Sequence, residues 1–131
     1  MGAAQNKATV VAAYEAFGTG DIAAVIATNT PDAVWVNYST PASPLSGEHK
    51  GLDNIGAFFG LIGDTIDITE FDIAPIAADG DIVVAEGHQS YTVKKTGKTV
   101  SGPMLHVFTF GPDGKVTRFE EWESNVQDAW T

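Results

Sequence analysis

The stretch from Met104 to Ser124, MLHVFTFGPDGKVTRFEEWES, reads as a β-hairpin: an apolar strand, a Gly-Pro-Asp-Gly turn, and a second strand carrying three carboxylates. Side chains alternate along a strand, so Met104, His106, Phe108 and Phe110 share one face. A four-residue loop, Gly111–Gly114, pairs Phe110 with Lys115 and His106 with Phe119. Glu121 and Glu123 then join the face of His106, while Arg118, Glu120 and Trp122 point the other way. A five-residue loop turns Val116, Arg118, Glu120 and Trp122 inward instead, because the side-chain period is two. The four-residue loop is preferred, since it buries Phe119 and leaves Arg118 and Glu120 in water.

Working outward, the chain of 131 residues is expected to be a single domain, 1–131, long enough to bury a core without covalent staples. It has no cysteine, which removes disulfides, thiolate metal sites and a cysteine nucleophile. No apolar run reaches the length of a membrane span, and no targeting segment is recognised, so the cytoplasm is the expected compartment. The net charge is −10, spread over both halves: residues 1–65 hold two basic and six acidic side chains, residues 66–131 five and eleven. Such a surface repels phosphate backbones, so neither nucleic acid nor an anionic membrane is an expected partner.

Residues 5–18 fit an amphipathic helix, with Val10, Tyr14 and Phe17 at i, i+4 and i+7 and Ala13 beside them. Gly18-Thr19-Gly20 stops it, and Asp21 is the N-cap of a short second helix from Ile22 to about Thr28. Asp32 to Tyr38 reads as a strand, and TPASPLSGEHKG after it as a loop. Asp53 or Asn54 opens a third helix with the apolar stripe Ile55, Phe58, Phe59 and Ile62. Its three glycines each weaken it by roughly 1 kcal/mol relative to alanine. From Thr65 the pattern is all strand, with a parity change near Thr69-Glu70 that marks a bulge. Asp79-Gly80 is a turn, Asp81 to Val93 a long strand, and Thr99 to Phe110 leads into the hairpin. Helices followed by an antiparallel meander make the chain α+β, its helices packed on one face of a sheet.

YEAFGTGDIAAV in the first two helices, PDAVWVN, GLDNIGAFF and LHVFTFGPDGKVTRFEEWES together resemble the SnoaL-like and ketosteroid isomerase-like branch of the nuclear transport factor 2-like superfamily, over nearly the whole chain. The resemblance implies a cone: three N-terminal helices packed on a strongly curved, mainly antiparallel sheet, a deep pocket at the open end, and a homodimer. Fold alone does not supply function. By likeness to the isomerase, His106 takes the place of the aspartic acid of the oxyanion hole, Tyr14 lies near its tyrosine, and Asn37 replaces the general-base aspartate. An amide takes no proton, so a true ketosteroid isomerase is not expected. The Asp-Arg-Asp set of limonene-type epoxide hydrolases falls on Gly87, Gln89 and Ser124, and is absent. SnoaL-type cyclases, with a histidine and an acid on the last two strands, look closest, through His106 and Glu121.

Alternation puts Val84, Glu86, His88 and Ser90 on one face of the long strand and Trp35 with Asn37 on one face of the first; the resemblance implies that these faces line the cone. The expected pocket therefore holds His106, Glu121 and Asn37 as its chemical groups. Tyr14, Trp35, Phe58, Glu86, His88, Met104, Phe119 and Glu123 are its ligand-binding walls. A glutamate beside a histidine fixes its tautomer and suits it to move a proton next to a carbonyl; a buried histidine satisfied by a structural hydrogen bond is the competing interpretation. The histidines and glutamates show no metal-ligand spacing, so neither metal nor cofactor is expected. Trp122, outward with Val107, is a candidate dimer contact. The expected ligand is a small hydrophobic or carbonyl-containing molecule, bound by an acid–base enzyme or by a non-catalytic dimeric binding domain.

Overall fold

The structure is a computed structural model describing residues 2–131. In chain order its elements are α1 (Ala3–Gly18), α2 (Ile22–Ile26), β1 (Asn29–Tyr38), β2 (Gly47–Lys50), α3 (Leu52–Thr65), β3 (Ile66–Asp79), β4 (Ile82–Val93), β5 (Thr99–Phe110) and β6 (Val116–Glu123). The strands form one open sheet in the order β2-β1-β6-β5-β4-β3. All neighbours are antiparallel except β1 and β6, which run parallel. This is the expected α+β architecture, with α1 packed against β3 and β4 and α3 against β1 and β2.

Local chemistry sets the element ends. Asp21 caps α2 by accepting a hydrogen bond from the Ala24 amide at 3.2 Å, as expected. Asn29 closes that helix by donating to the carbonyls of Val25 and Ile26, and accepts from the Trp35 indole at 2.7 Å. These bonds satisfy a buried amide and hold Trp35 at the start of the cavity wall. The third helix begins one residue earlier than expected, at Leu52 after Gly51, whose φ of 84° suits glycine. Asp53 sits in its first turn and Asn54 bonds back to the Lys50 carbonyl. The loop expected after β1 contains the short edge strand β2, which the sequence does not announce because Gly-Glu-His-Lys carries no apolar alternation.

Curvature comes from interruptions of the ladders. The register of β3 against β4 shifts between Ile68 and Glu70, at the expected bulge, and again between Pro75 and Ala77. Pro75 is tolerated because β3 is an edge strand. In the deciding hairpin, the loop has five residues, not four: Gly111 N–H donates to the Lys115 carbonyl, and Phe110 pairs with Val116. An extra residue at Thr117 then reverses the parity again, so Phe108 pairs with Phe119 and His106 with Glu121. The expected inner face of β6 is therefore right, although the pairing is displaced by two residues. Val116 and Phe119 are both buried, which a regular strand does not allow for residues three apart.

Candidate active site

One row of cross-strand neighbours builds the polar centre. Asn37 on β1 faces Glu121 on β6, Glu121 faces His106 on β5, and His106 faces Ala85 on β4. Facing residues share a side of the sheet, so the three polar side chains converge. Asn37 Nδ2 donates to Glu121 Oε1 at 2.6 Å, and Glu121 Oε2 lies 2.9 Å from His106 Nε2. Tyr14 reaches in from α1, its hydroxyl 2.8 Å from His106 Nδ1. His106 is only 3% exposed.

A carboxylate only accepts hydrogen bonds, so its partners assign the hydrogen of His106 to Nε2. In the neutral ring Nδ1 is then an acceptor for the Tyr14 hydroxyl. In the imidazolium, Nδ1–H donates to the Tyr14 oxygen, which frees the phenolic hydrogen for another acceptor. Burial, then the negative charge of Glu121, pushes the Tyr14 phenol well above the usual tyrosine range, so it remains a neutral donor.

A second polar row lies beside the first. Met104 on β5 faces Glu123 on β6. Glu123 Oε1 accepts from the Tyr91 hydroxyl at 2.6 Å and from Gln89 Nε2 at 3.4 Å. Burial raises the Glu123 carboxyl to about 7, and the Glu121 charge adds to the rise, against the hydrogen bonds of Tyr91, Asn37 and Ser39. Burial and the charge of Glu123 likewise push the Tyr91 phenol upward.

These groups line a cavity walled mainly by Phe17, Phe58, Phe59, Ile62, Ile68, Phe71 and Phe119. Its empty space is ≈ 770 Å³ with the mouth included. Apolar walls with a few convergent polar groups are the usual form of a small-molecule site.

Of the expected pocket residues, His106, Glu121, Asn37, Tyr14, Trp35, Phe58, Phe119 and Glu123 all line this cavity. Met104 is on the same side of β5 but buried outside the lining. Glu86 and His88 are a correction: they lie on the outer, exposed side of β4. Ala85 faces His106 and Gly87 faces Met104, so Glu86 and His88 must point away. His88 Nδ1 instead meets Glu70 Oε1 at 2.6 Å, both half-exposed. The inner positions of β4 are Gln89 and Tyr91, neither expected in the site. The signal was present: Val83, Ala85, Tyr91 and Val93 are the more apolar alternating set. Outside the cavity, Trp122 stacks on Tyr38 with ring centres 4.8 Å apart. Among the described residues no three His, Asp or Glu side chains gather to hold a metal ion.

The order of helices and the curved, open sheet define a nuclear transport factor 2-like fold. Residues 10–119 match the SnoaL-like domain, and the chain belongs to that family. An NTF2-like protein of Burkholderia xenovorans LB400 is 23% identical and superposes with a TM-score of 0.87, over 100% of this chain and 99% of that one. An NTF2-like protein of Burkholderia thailandensis E264 is 29% identical, with a TM-score of 0.77 over 88% of each chain. TerC, co-crystallized with polyporic acid, is 24% identical, with a TM-score of 0.77 over 96% of this chain and 98% of that one. No curated protein matches the sequence at a significant level. No helix among the described residues is long and apolar enough to cross a membrane.

Proposed function

We propose that this SnoaL-like protein is an enzyme of the isomerase, cyclase or lyase kind, doing cofactor-free acid–base chemistry on a small, largely apolar carbonyl compound. The observation that carries the reading is the continuous hydrogen-bonded line Asn37–Glu121–His106–Tyr14 set into the wall of an apolar cavity. Removing a proton from the carbon beside a carbonyl moves negative charge onto its oxygen. A donor aimed at that oxygen stabilises the charge, and does so more strongly where water is excluded. Tyr14 supplies the donor. Donation from His106 Nδ1–H to the Tyr14 oxygen would leave the phenolic hydrogen directed at the substrate, and Glu121 holds the ring in place through Nε2. Asn37 acts through Glu121 and is a positioning residue.

The test is hydrogen–deuterium exchange beside the carbonyl of a panel of uncharged aryl and cyclic ketones in D2O, followed by NMR. At least one ketone is expected to exchange, with the rate falling about 10²–10³-fold in His106→Ala, the size of losing one preorganised donor, while binding persists. A second reading, a non-catalytic binding domain, draws on the fact that both ring nitrogens of His106 are already engaged. A ketone that binds and is recovered without exchange decides for it.

A further inference from the structure

His106 and Glu121 are both occupied. The imidazole has one partner on each nitrogen, and Glu121 has a donor on each oxygen, Asn37 on Oε1 and His106 on Oε2. Glu123 lines the cavity two residues from Glu121 on the same face of β6; its bonds from Tyr91 and Gln89 both fall on Oε1, and Asn37 and Ser39 also stand as donors beside its carboxyl. We propose that Glu123 is a second proton-carrying residue of the site, taking a proton from a carbon of the bound carbonyl compound and returning it, while Tyr14 holds the oxygen.

The step rests on the acid–base reading above and balances within the site. Glu123 Oε2 takes the proton from the carbon beside the carbonyl. The C–H electron pair becomes a carbon–carbon double bond, and the carbonyl π pair moves to the oxygen facing Tyr14. Return of the proton to the same or a more distant carbon restores Glu123 and yields exchange or double-bond migration. A carboxyl that titrates near neutral pH is matched to both halves of this cycle. Burial and the charge of Glu121 beside it on β6 raise the carboxyl, against the hydrogen bonds of Tyr91, Asn37 and Ser39; His106 from β5 and Tyr14 from α1 line the same cavity, with no lysine or arginine in the described lining. Two carboxylates on one wall also select against anionic ligands, so the substrate class is uncharged ketones or enones.

The decisive experiment uses the wild-type protein and an uncharged aryldiazoacetamide. Such a probe takes a proton from a carboxylic acid onto its diazo carbon; the carboxylate then displaces nitrogen gas and forms an ester. It therefore reports a carboxyl that both carries a proton and delivers it to carbon. Mass spectrometry is expected to place the ester on Glu123 about tenfold above any other carboxylate at pH ~6.5, falling about tenfold per pH unit once the carboxyl ionises. Labelling of other carboxylates with Glu123 untouched, or no labelling, overturns the proposal. So does a ketone that exchanges equally fast with wild type and Glu123→Gln, an outcome that leaves the enzyme reading intact. An ester on Glu123 with no ketone exchanging overturns the proposal together with the enzyme reading, since the carboxyl then moves no proton of a carbonyl compound.

Discussion

The Tyr14 hydroxyl, carried on α1, lies 2.8 Å from Nδ1 of His106 on β5, across 92 residues of sequence. This contact makes the seating of a helix on the sheet part of the chemistry. Tyr14→Phe removes it while keeping the ring, which packs edge-on against Phe71 and Phe108. Leaving a buried ring nitrogen without a partner costs about 1–3 kcal/mol. Denaturant unfolding is expected to show that loss, and the exchange rate of a substrate ketone to fall about 10²–10³-fold. Unchanged exchange in a folded Tyr14→Phe protein removes Tyr14 from the oxygen-binding role.

Glu123 makes the stability of the fold depend on pH. Its carboxyl is raised from 4.5 to about 7, so the folded protein prefers the protonated form. The resulting stabilisation is complete below the unfolded value and is lost as pH rises through about 7. Glu123→Gln keeps an oxygen for Tyr91 and Gln89 but carries no charge. It is expected to match wild type near pH 4 and to exceed it at pH 8 by roughly 1–3 kcal/mol in urea unfolding. A gap that stays constant with pH counts against a buried carboxyl at this position.

Glu121 and Glu123 are coupled by charge, since the ionised Glu121 adds to the rise at Glu123. Glu121→Gln removes that charge. The Glu123 carboxyl, followed by ¹³C NMR, is expected to titrate lower than about 7, though still above an exposed glutamate because burial is the larger cause. No downward movement means that the two carboxylates do not share this wall.

The parts of the site legible in the sequence are those where parity alone decides. Alternation puts His106, Glu121 and Glu123 on one face, and Asn37 with Trp35 likewise. With a five-residue loop that face is kept only because the extra residue at Thr117 reverses the strand a second time. Two compensating irregularities cannot be read from a pattern with period two. On β4 the resemblance points to the face of Glu86 and His88, against the apolar alternation of Val83, Ala85, Tyr91 and Val93 that carries Gln89 and Tyr91 inward. The Tyr14–His106 contact depends on how α1 crosses the sheet, which no local pattern encodes.

His88 lies on the outer side of β4. Its bond to Glu70 joins two half-exposed side chains on the outer surface, and such pairs contribute little. His88→Ala is expected to shift stability by less than about 1 kcal/mol and to leave ketone binding and exchange as in wild type. A loss of binding places His88 in the cavity after all and overturns the register of β4 against β5.

Two glycines, one at a crowded strand position and one on an open helix, test whether the curvature of the sheet is built into specific positions. At Gly87 on β4, an added Cβ would collide with the carbonyl oxygen of Asp72 and with Ile73 on β3. Only a hydrogen fits where the strands approach so closely. Gly60 lies in the interior of α3, exposed, with nothing within reach of an added Cβ and no left-handed φ. There alanine should add helix propensity and restrict the unfolded chain. Gly60→Ala is therefore expected to raise stability by about 0.5–1 kcal/mol. Gly87→Ala is expected to lower it by more than about 2 kcal/mol and to reduce ketone binding, because β4 carries Gln89 and Tyr91 two and four residues further on. Chemical unfolding of the two variants side by side makes the comparison. If Gly87→Ala is as stable as wild type, β3 and β4 can separate there, and the curvature that encloses the cavity must be set elsewhere.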